Sequence, residues 1–320
     1  MNILITGCAG FIGTHFTRYM LDKHPTWTVI GVDALTYAAD IDALEETKAR
    51  YGARLCFYHA DICDKKTMSQ IFVAHRPDIV VNLAAESHVD RSIEAPDIFV
   101  RTNVLGTGVL LDLALAHGTQ RFHQVSTDEV YGDLPLDSTE RFNETSPLMP
   151  NSPYSASKAS ADLLVLSYYK TYGLSVTISR SSNNYGAHQH REKLIPATVS
   201  RALAGERVLL YGDGKNRRNW ISVLDHCRAI DLILEKGSVG EIYNIASSTE
   251  IANIDLVCRI LDILECPPTR IAFVPDRKGH DRKYALDTTK IERELGFFSE
   301  IPFDTGLRDT IFYYQSRYKK

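Results

Sequence analysis

Through roughly its first 180 residues the chain alternates short apolar runs of strand length with longer stretches of helical period, and this rhythm admits few folds. The strand candidates are Asn2 to Thr6, Thr28 to Asp33, Arg54 to Tyr58, Ile79 to Ala84, Arg121 to Ser126 and Leu174 to Arg180. Helices are expected between them, notably Asp64 to His75, Asp97 to His117 and Tyr154 to Tyr172. Parallel strands need crossover connections of a dozen or more residues, which is what these helices supply. The expectation is an α/β fold: a doubly wound parallel sheet of six or more strands, covered on both faces.

After about Ser181 the rhythm loosens into a Gly/Asn/His-containing loop, a helix from Ile195 to Ala204, and shorter elements interrupted by Pro267, Pro268, Pro275 and Pro302. No flexible linker or internal repeat separates this part. The 320 residues therefore divide into a first domain over 1–181, with strand and helix returns from later in the chain, and a smaller region over 182–320. Helices near Asp287 to Leu295 and Asp304 to Tyr318 carry expected order almost to Lys320.

The net charge is -4, from 36 basic and 40 acidic residues without long like-charged runs, so neither a nucleic-acid footprint nor a polybasic membrane anchor is expected. Six cysteines without a CxxC pair read as reduced thiols. The start, MNILITG, lacks the sections of a signal peptide, and no uninterrupted apolar run reaches about 18 residues, so the expected location is the cytoplasm.

Thr6-Gly7-Cys8-Ala9-Gly10-Phe11-Ile12-Gly13 follows the first strand and opens a helix. Glycines let backbone approach a pyrophosphate, and a helix N-terminus offers amide donors and a positive dipole end. A tight strand-to-helix turn would look similar. Asp33, however, closes the second strand 20 residues beyond Gly13, where a carboxylate accepts from an adenosine ribose and repels a 2'-phosphate, favouring NAD over NADP. Asp61-Ile62 ends the third strand and could reach an adenine edge, or serve as a turn former.

Tyr154 and Lys158 stand four apart at the start of a helix, on one face, with the ammonium placed to favour a tyrosinate base. The plain alternative is an exposed helical pair. Thr127-Asp128-Glu129 falls at the C-terminal end of a strand, the edge where open α/β sheets bind ligands. Adjacent carboxylates there make either a solvated turn or an acid and a base held apart in pKa. Alcohol oxidation alone needs no such pair, so chemistry beyond hydride transfer is expected.

Taken together, TGCAGFIG, VDALTYA, AAESHVDRSI, TNVLGT, STDEVYGD, SPYSASKA, NNYG, EKLIP, YGDG and DRKGHDRKYALD resemble the nucleotide-sugar 4,6-dehydratases of the extended short-chain dehydrogenase/reductase superfamily over nearly the whole chain. STDEVYG is the most telling, since sugar 4-epimerases of the superfamily usually lack the Asp-Glu pair. The resemblance implies a Rossmann fold, NAD as cofactor and a nucleoside-diphosphate-glucose as substrate, dTDP-glucose first. It implies Tyr154 as the base at the sugar 4-hydroxyl, aided by Thr127 and Lys158. Glu129 would take the proton from carbon 5, and Asp128 would protonate the departing 6-hydroxyl.

Around NAD the resemblance places Gly7, Gly10, Phe11, Ile12 and Gly13, then Asp33, Ala34, Leu35 and Thr36, then Asp61 and Ile62. Leu83, Ala84, Ala85, Glu86, Ser87, Thr102, Tyr154, Lys158 and Asn184 complete that set. On the sugar-nucleotide side it places Ser87, Thr127, Asn183, Lys193 and Leu194, then Leu209, Leu210 and Tyr211. Arg218, Asn253 and the run Asp276, Arg277, Lys278, Gly279 and His280 follow. Arg218 is the natural diphosphate clamp, because a guanidinium can fork onto phosphate oxygens; the plain alternative is a surface salt bridge.

The chain departs from the family pattern at Ala34, usually Lys, at Asn219, usually Asp, and over Ala187-His188-Gln189-His190-Arg191, which lacks the usual prolines. His188 and His190 read as solvated or substrate-facing groups, and no metal is expected. The resemblance also implies a homodimer through a four-helix bundle formed by the helices Asp97 to His117 and Tyr154 to Tyr172. A 4-epimerase, a dehydratase of UDP-glucose or UDP-GlcNAc, and an NAD-binding regulatory protein are the alternative functions.

Overall fold

The computed structural model describes residues 1–318. Its centre is a seven-stranded, wholly parallel sheet built from β1 (Asn2–Thr6), β2 (Thr28–Asp33), β3 (Leu55–His59), β4 (Ile79–Asn82), β5 (Arg121–Thr127) and β6 (Val176–Ser181), with a seventh strand from the later half of the chain. Two small sheets follow. One joins β7 (Asn183–Tyr185) to β9 (Arg217–Ser222), and the other holds β8 (Val208–Tyr211). The seventh strand of the large sheet is β10 (Ile242–Ile245), while β11 (Glu250–Ala252) pairs with β9 and β12 (Ile271–Val274) with β8. Strand order in the large sheet is β10-β6-β5-β4-β1-β2-β3, so β10 closes the edge beside β6.

Burial on both faces explains the near-continuous apolar strands. Side chains alternate across the sheet, so Leu4, Ile30, Val80, Phe122 and Ile178 pack with Phe72, Leu110 and Val165 on one side. Ile3, Ile5, Val29 and Val81 meet Phe16, Met20, Cys227 and Ile230 on the other. Each such fully buried side chain contributes about 1.5–3 kcal/mol relative to exposure. A third cluster, with Tyr185, Trp220, Leu256 and Leu307, holds the later residues together over β7 and β9.

Strand and helix ends shift by a residue or two from the sequence expectation, for local reasons. The fourth strand stops at Asn82 because Ala84 N donates to the Thr6 hydroxyl at 3.2 Å instead of to a neighbouring strand. The sixth begins at Val176 because the helix Pro153–Tyr172 ends on Gly173 in the left-handed region, where Leu174 N still donates to Tyr168 O.

The helix Pro96–Ala116 is by length and composition apolar enough to cross a bilayer, with a mean hydropathy of 1.5 over its most apolar window. Half of that window is buried inside the protein, where Leu110, Leu111 and Ala114 belong to the core. Its middle, Val100–Gly106, has π-helical hydrogen bonding, an irregularity that places Thr102 and Asn103 beside the candidate site described next.

Candidate active site

A cavity of about 740 Å³ opens at the C-terminal ends of β1, β2, β4, β5 and β6. The glycine turn forms its floor. Gly7 has φ +68, and a Cβ there would stand 2.8 Å from Ala84 N. A Cβ on Gly13 would stand 2.0 Å from Gly7 O, so turn and helix close on each other only without side chains. Gly10 caps the helix Phe11–Lys23 with no side-chain hydrogen bond, which leaves first-turn amides available where Phe11, Ile12 and Gly13 line the cavity.

Asp33 ties this turn to the second strand. Its carboxylate accepts from Ala9 N at 2.9 Å and Leu35 N at 2.8 Å, while burial raises its pKa against those two bonds. All the residues expected around NAD line the cavity except Leu35, which acts through its backbone and sits at φ +50. Asp61 does two things: it lines the cavity, and it forms the turn by accepting from Cys63 N at 2.8 Å. Arg101 adds an ion pair to it at 3.2 Å.

Thr127, Asp128, Glu129, Tyr154 and Lys158 line one end of the cavity, together with Ser87, Asn183 and Lys193. β5 ends at Thr127, and a 3-10 turn over Asp128–Tyr131 aims the two carboxyls inward. Thr127 Oγ1 donates to Asp128 Oδ1 at 3.3 Å, whereas Asp128 Oδ2 is buried with no partner. Burial, and then the charge of Glu129, push the Asp128 carboxyl up to about 8, so at neutral pH it carries a proton. Burial also raises Glu129, but the Arg218 and Lys193 charges oppose that rise. The pair is thus buried in the cavity wall rather than a solvated turn.

Ser152 and Ser155 make a capping box that starts the helix Pro153–Tyr172 and fixes Tyr154 and Lys158 in its first turns. The expected lowering of the phenol by Lys158 is not what the site shows. Burial and the charge of Glu129 raise Tyr154 well above the ordinary phenol range, against the lowering effect of the Thr127 hydrogen bond. The Lys158 ammonium donates instead to Val125 O at 2.7 Å, and burial lowers its pKa to about 8 despite Asp162 nearby.

The remaining sugar-nucleotide candidates stand outside that cavity. Alternation along β8 exposes Leu209 and Tyr211 and turns the Leu210 side chain into a core cluster with Val208 and Leu261. Leu194 likewise packs on core clusters at the head of its helix. Arg218 is buried and, among the described residues, not ion-paired: its guanidinium lies over the Tyr284 ring and donates to the Asp281 carbonyl at 2.7 Å. Asn253 opens the helix Asn253–Ile263, its Oδ1 buried without a partner.

In the run from Asp276, His280 Nδ1 contacts Asp276 Oδ1 at 2.6 Å, and Gly279 at φ +63 packs on Asn151 O. Lys278 is exposed. Arg277 pairs with Asp90 at 2.5 Å, near enough to the cavity for its charge to act on Glu129 and Lys193.

Several residues escaped the sequence reading. Asn103 accepts from Glu86 N at 2.9 Å and donates to Ser157 Oγ at 2.8 Å, joining a cavity wall to the helix Pro153–Tyr172. Its signal was the TNVLGT run, from which only Thr102 was taken. Asp162 lies one helical turn beyond Lys158, a spacing that could have been read, and pairs with Arg180. Gln189 and Glu192 also line the cavity, beside His190, which the sequence reads as solvated or substrate-facing.

The family model described as GDP-mannose 4,6 dehydratase matches residues 4–310. The dTDP-glucose 4,6-dehydratase of Haemophilus influenzae is 48% identical, with 98% of both chains covered. The solved dTDP-glucose 4,6-dehydratase of Streptomyces venezuelae, with NAD bound, is 46% identical with a TM-score of 0.95, over 99% of this chain and 97% of that one. The Bacillus anthracis enzyme in complex with NAD is 43% identical with a TM-score of 0.92, over 100% of this chain and 98% of that one. With this likeness running through fold and cavity alike, the chain belongs to the dTDP-glucose 4,6-dehydratase family of nucleotide-sugar dehydratases.

Proposed function

We propose that the protein is an NAD-dependent hydro-lyase that converts dTDP-glucose to its 4-keto-6-deoxy derivative. The observation that carries this reading is the adjacent carboxyls of Asp128 and Glu129 in one cavity with Tyr154 and Lys158, where burial and the Glu129 charge raise Asp128 toward its protonated form. An epimerase would return hydride to carbon 4 and has no use for that pair. A binding-only protein has no physical need for any of these four groups.

The cavity fits NAD. The glycine turn leaves backbone amides uncovered for a pyrophosphate, and the Asp33 carboxylate stands where it would repel a 2'-phosphate. When bound, NAD supplies the hydride acceptor for carbon 4, returns the hydride to carbon 6 and brings a ring cation that favours tyrosinate. Thr127 orients Tyr154, which takes the 4-hydroxyl proton. The 4-ketone acidifies the carbon 5 hydrogen, which Glu129 removes as a proton. Asp128 protonates the 6-hydroxyl as its bond to carbon breaks, so water leaves and a carbon 5–carbon 6 double bond forms. Hydride return to carbon 6 and proton return to carbon 5 complete the product.

Lys193 and Arg277, whose charges already act on Glu129, supply local attraction for the diphosphate that a net charge of -4 cannot. Arg218 would clamp it by exchanging backbone carbonyls for phosphate oxygens.

A second copy of the chain fits the exposed apolar side chains of Val100 and Leu105 on one helix and Leu163 and Tyr172 on the other, the two helices that the family resemblance pairs across a dimer. Light scattering at micromolar concentration should give a dimer. The six cysteines are all free, in keeping with the cytoplasm as the location. Incubation with dTDP-glucose, UDP-glucose and UDP-GlcNAc, followed by absorbance in alkali and by mass, tests the main reading. Product from dTDP-glucose is expected, and its absence would overturn it.

A further inference from the structure

We propose that Asp40, His188 and Arg317 form a latch through which the C-terminal helix Phe303–Tyr318 holds the loop 186–192 against the cofactor end of the cavity and sets how tightly NAD is retained. This rests on the NAD reading of that cavity. Gln189, His190 and Glu192 of the loop line the cavity, whereas His188, which precedes them, lines only a second one. That one is an open cavity of about 470 Å³, whose lining also includes Asp40, Tyr313 and Arg317.

The contacts converge on one carboxylate. His188 Nδ1 lies 2.8 Å from Asp40 Oδ2, and Arg317 Nη1 donates to the same oxygen at 3.1 Å. Asp40 Oδ1 accepts from Ala43 N at 3.0 Å, capping the helix Ile41–Tyr51. The Asp40 backbone N donates to Ala9 O at 2.8 Å, and Ala9 belongs to the glycine turn. One residue therefore connects the turn, the loop and the C-terminal helix. Tyr313 Oη lies 3.0 Å from His188 Nδ1, and Tyr314 Oη donates to Gln189 O at 2.7 Å. His15 Nε2, from the helix that follows the glycine turn, lies 2.9 Å from Ala187 O.

The backbone supports the same conclusion. His188 has φ +64, a left-handed conformation that a residue other than glycine keeps only where its surroundings over-determine it. Here the side-chain bond to Asp40, with the Tyr313 ring packed against the imidazole, does so. A cofactor that is regenerated in each turnover has no need to leave, so a firm hold on it costs the reaction no step. The two histidines that look like half a metal site thus differ: His190 lines both cavities, and His188, which lines only the second, anchors the loop to Asp40.

The test uses the purified NAD-bound protein, with Arg317→Ala, His188→Gly and the double variant. Glycine keeps the left-handed backbone, and the half-exposed Arg317 side chain can be removed without opening the core. NAD release is followed by displacement with excess labelled NAD, and kcat is measured at saturating NAD. Each single variant should release NAD at least threefold faster with kcat within twofold of wild type. The double variant should be no faster than the faster single one, because both break one network. Release changed by less than threefold, a fall in kcat at saturating NAD, or multiplying effects would overturn the latch while leaving the NAD site standing. A wild-type protein that held no NAD would overturn both.

Discussion

Arg180 donates from Nε to Asp162 Oδ2 at 2.9 Å, with neither side chain more than 2% exposed. The Tyr131 ring covers the guanidinium from 4.8 Å. This ion pair lies beneath the catalytic helix one turn beyond Lys158, and the Asp162 charge resists the loss of the Lys158 proton. Removing one member leaves a buried charge alone, which costs about 3–5 kcal/mol. Arg180→Met should therefore lower unfolding stability in urea by that amount. Adding Asp162→Asn should restore part of it, whereas two independent losses would simply add.

Asp128 and Lys158 give the activity an alkaline limit. The Asp128 carboxyl is raised to about 8 and donates only while protonated; the Lys158 ammonium is lowered to about 8 and acts only while charged. Both useful forms hold at lower pH and are lost as pH rises through that region, so log kcat/KM should fall there with a slope approaching -2. In Lys158→Arg the guanidinium stays charged. If that variant retains measurable turnover, its slope should relax toward -1, and an unchanged slope would remove Lys158 from the pH profile.

Glu129 and Tyr154 serve different steps, and single-turnover measurements can separate them. Mixing Glu129→Gln with dTDP-glucose and NAD should still produce NADH absorbance, since oxidation at carbon 4 does not use that carboxylate, while dehydration falls by about 10²–10⁴-fold. Tyr154→Phe should suppress the NADH signal itself. Dehydration at the wild-type rate in the first variant, or undiminished NADH in the second, would refute the respective role.

The parts of this site that lie in one stretch of chain could be read from that stretch. Gly7 to Gly13, Asp33 and the Tyr154/Lys158 pair each combine a local spacing with a strand or helix boundary, and they line one cavity. Leu210 could not be read so, because a run taken whole from a resemblance ignores the alternation that turns every second side chain of β8 inward. The bonds of Arg218 depend on where the Asp281 carbonyl falls, 63 residues away in sequence. The helix Ile41–Tyr51 went unnamed because it buries only Ala43, Leu44 and Thr47, leaving a weak apolar period. The direction of the Tyr154 shift could not be read from the Tyr-Lys spacing, because it depends on burial and on Glu129, a residue on a different element.

Two glycine-to-alanine substitutions should have opposite effects, for reasons visible in their surroundings. At Gly13 the added Cβ would fall 2.0 Å from Gly7 O, a backbone atom that cannot move without opening the turn. Gly13→Ala should lose NAD binding and melt below the wild-type protein. At Gly108, inside the helix Pro96–Ala116, the nearest neighbour would be Leu164 Cδ2 at 3.5 Å, an ordinary van der Waals contact. Alanine there restricts the unfolded chain and favours the helix, so Gly108→Ala should stabilise the fold by about 0.4–1 kcal/mol and leave NAD affinity unchanged. Thermal melts with and without NAD read both effects, and a Gly13→Ala protein that bound NAD as wild type does would show that the turn is not the pyrophosphate cradle.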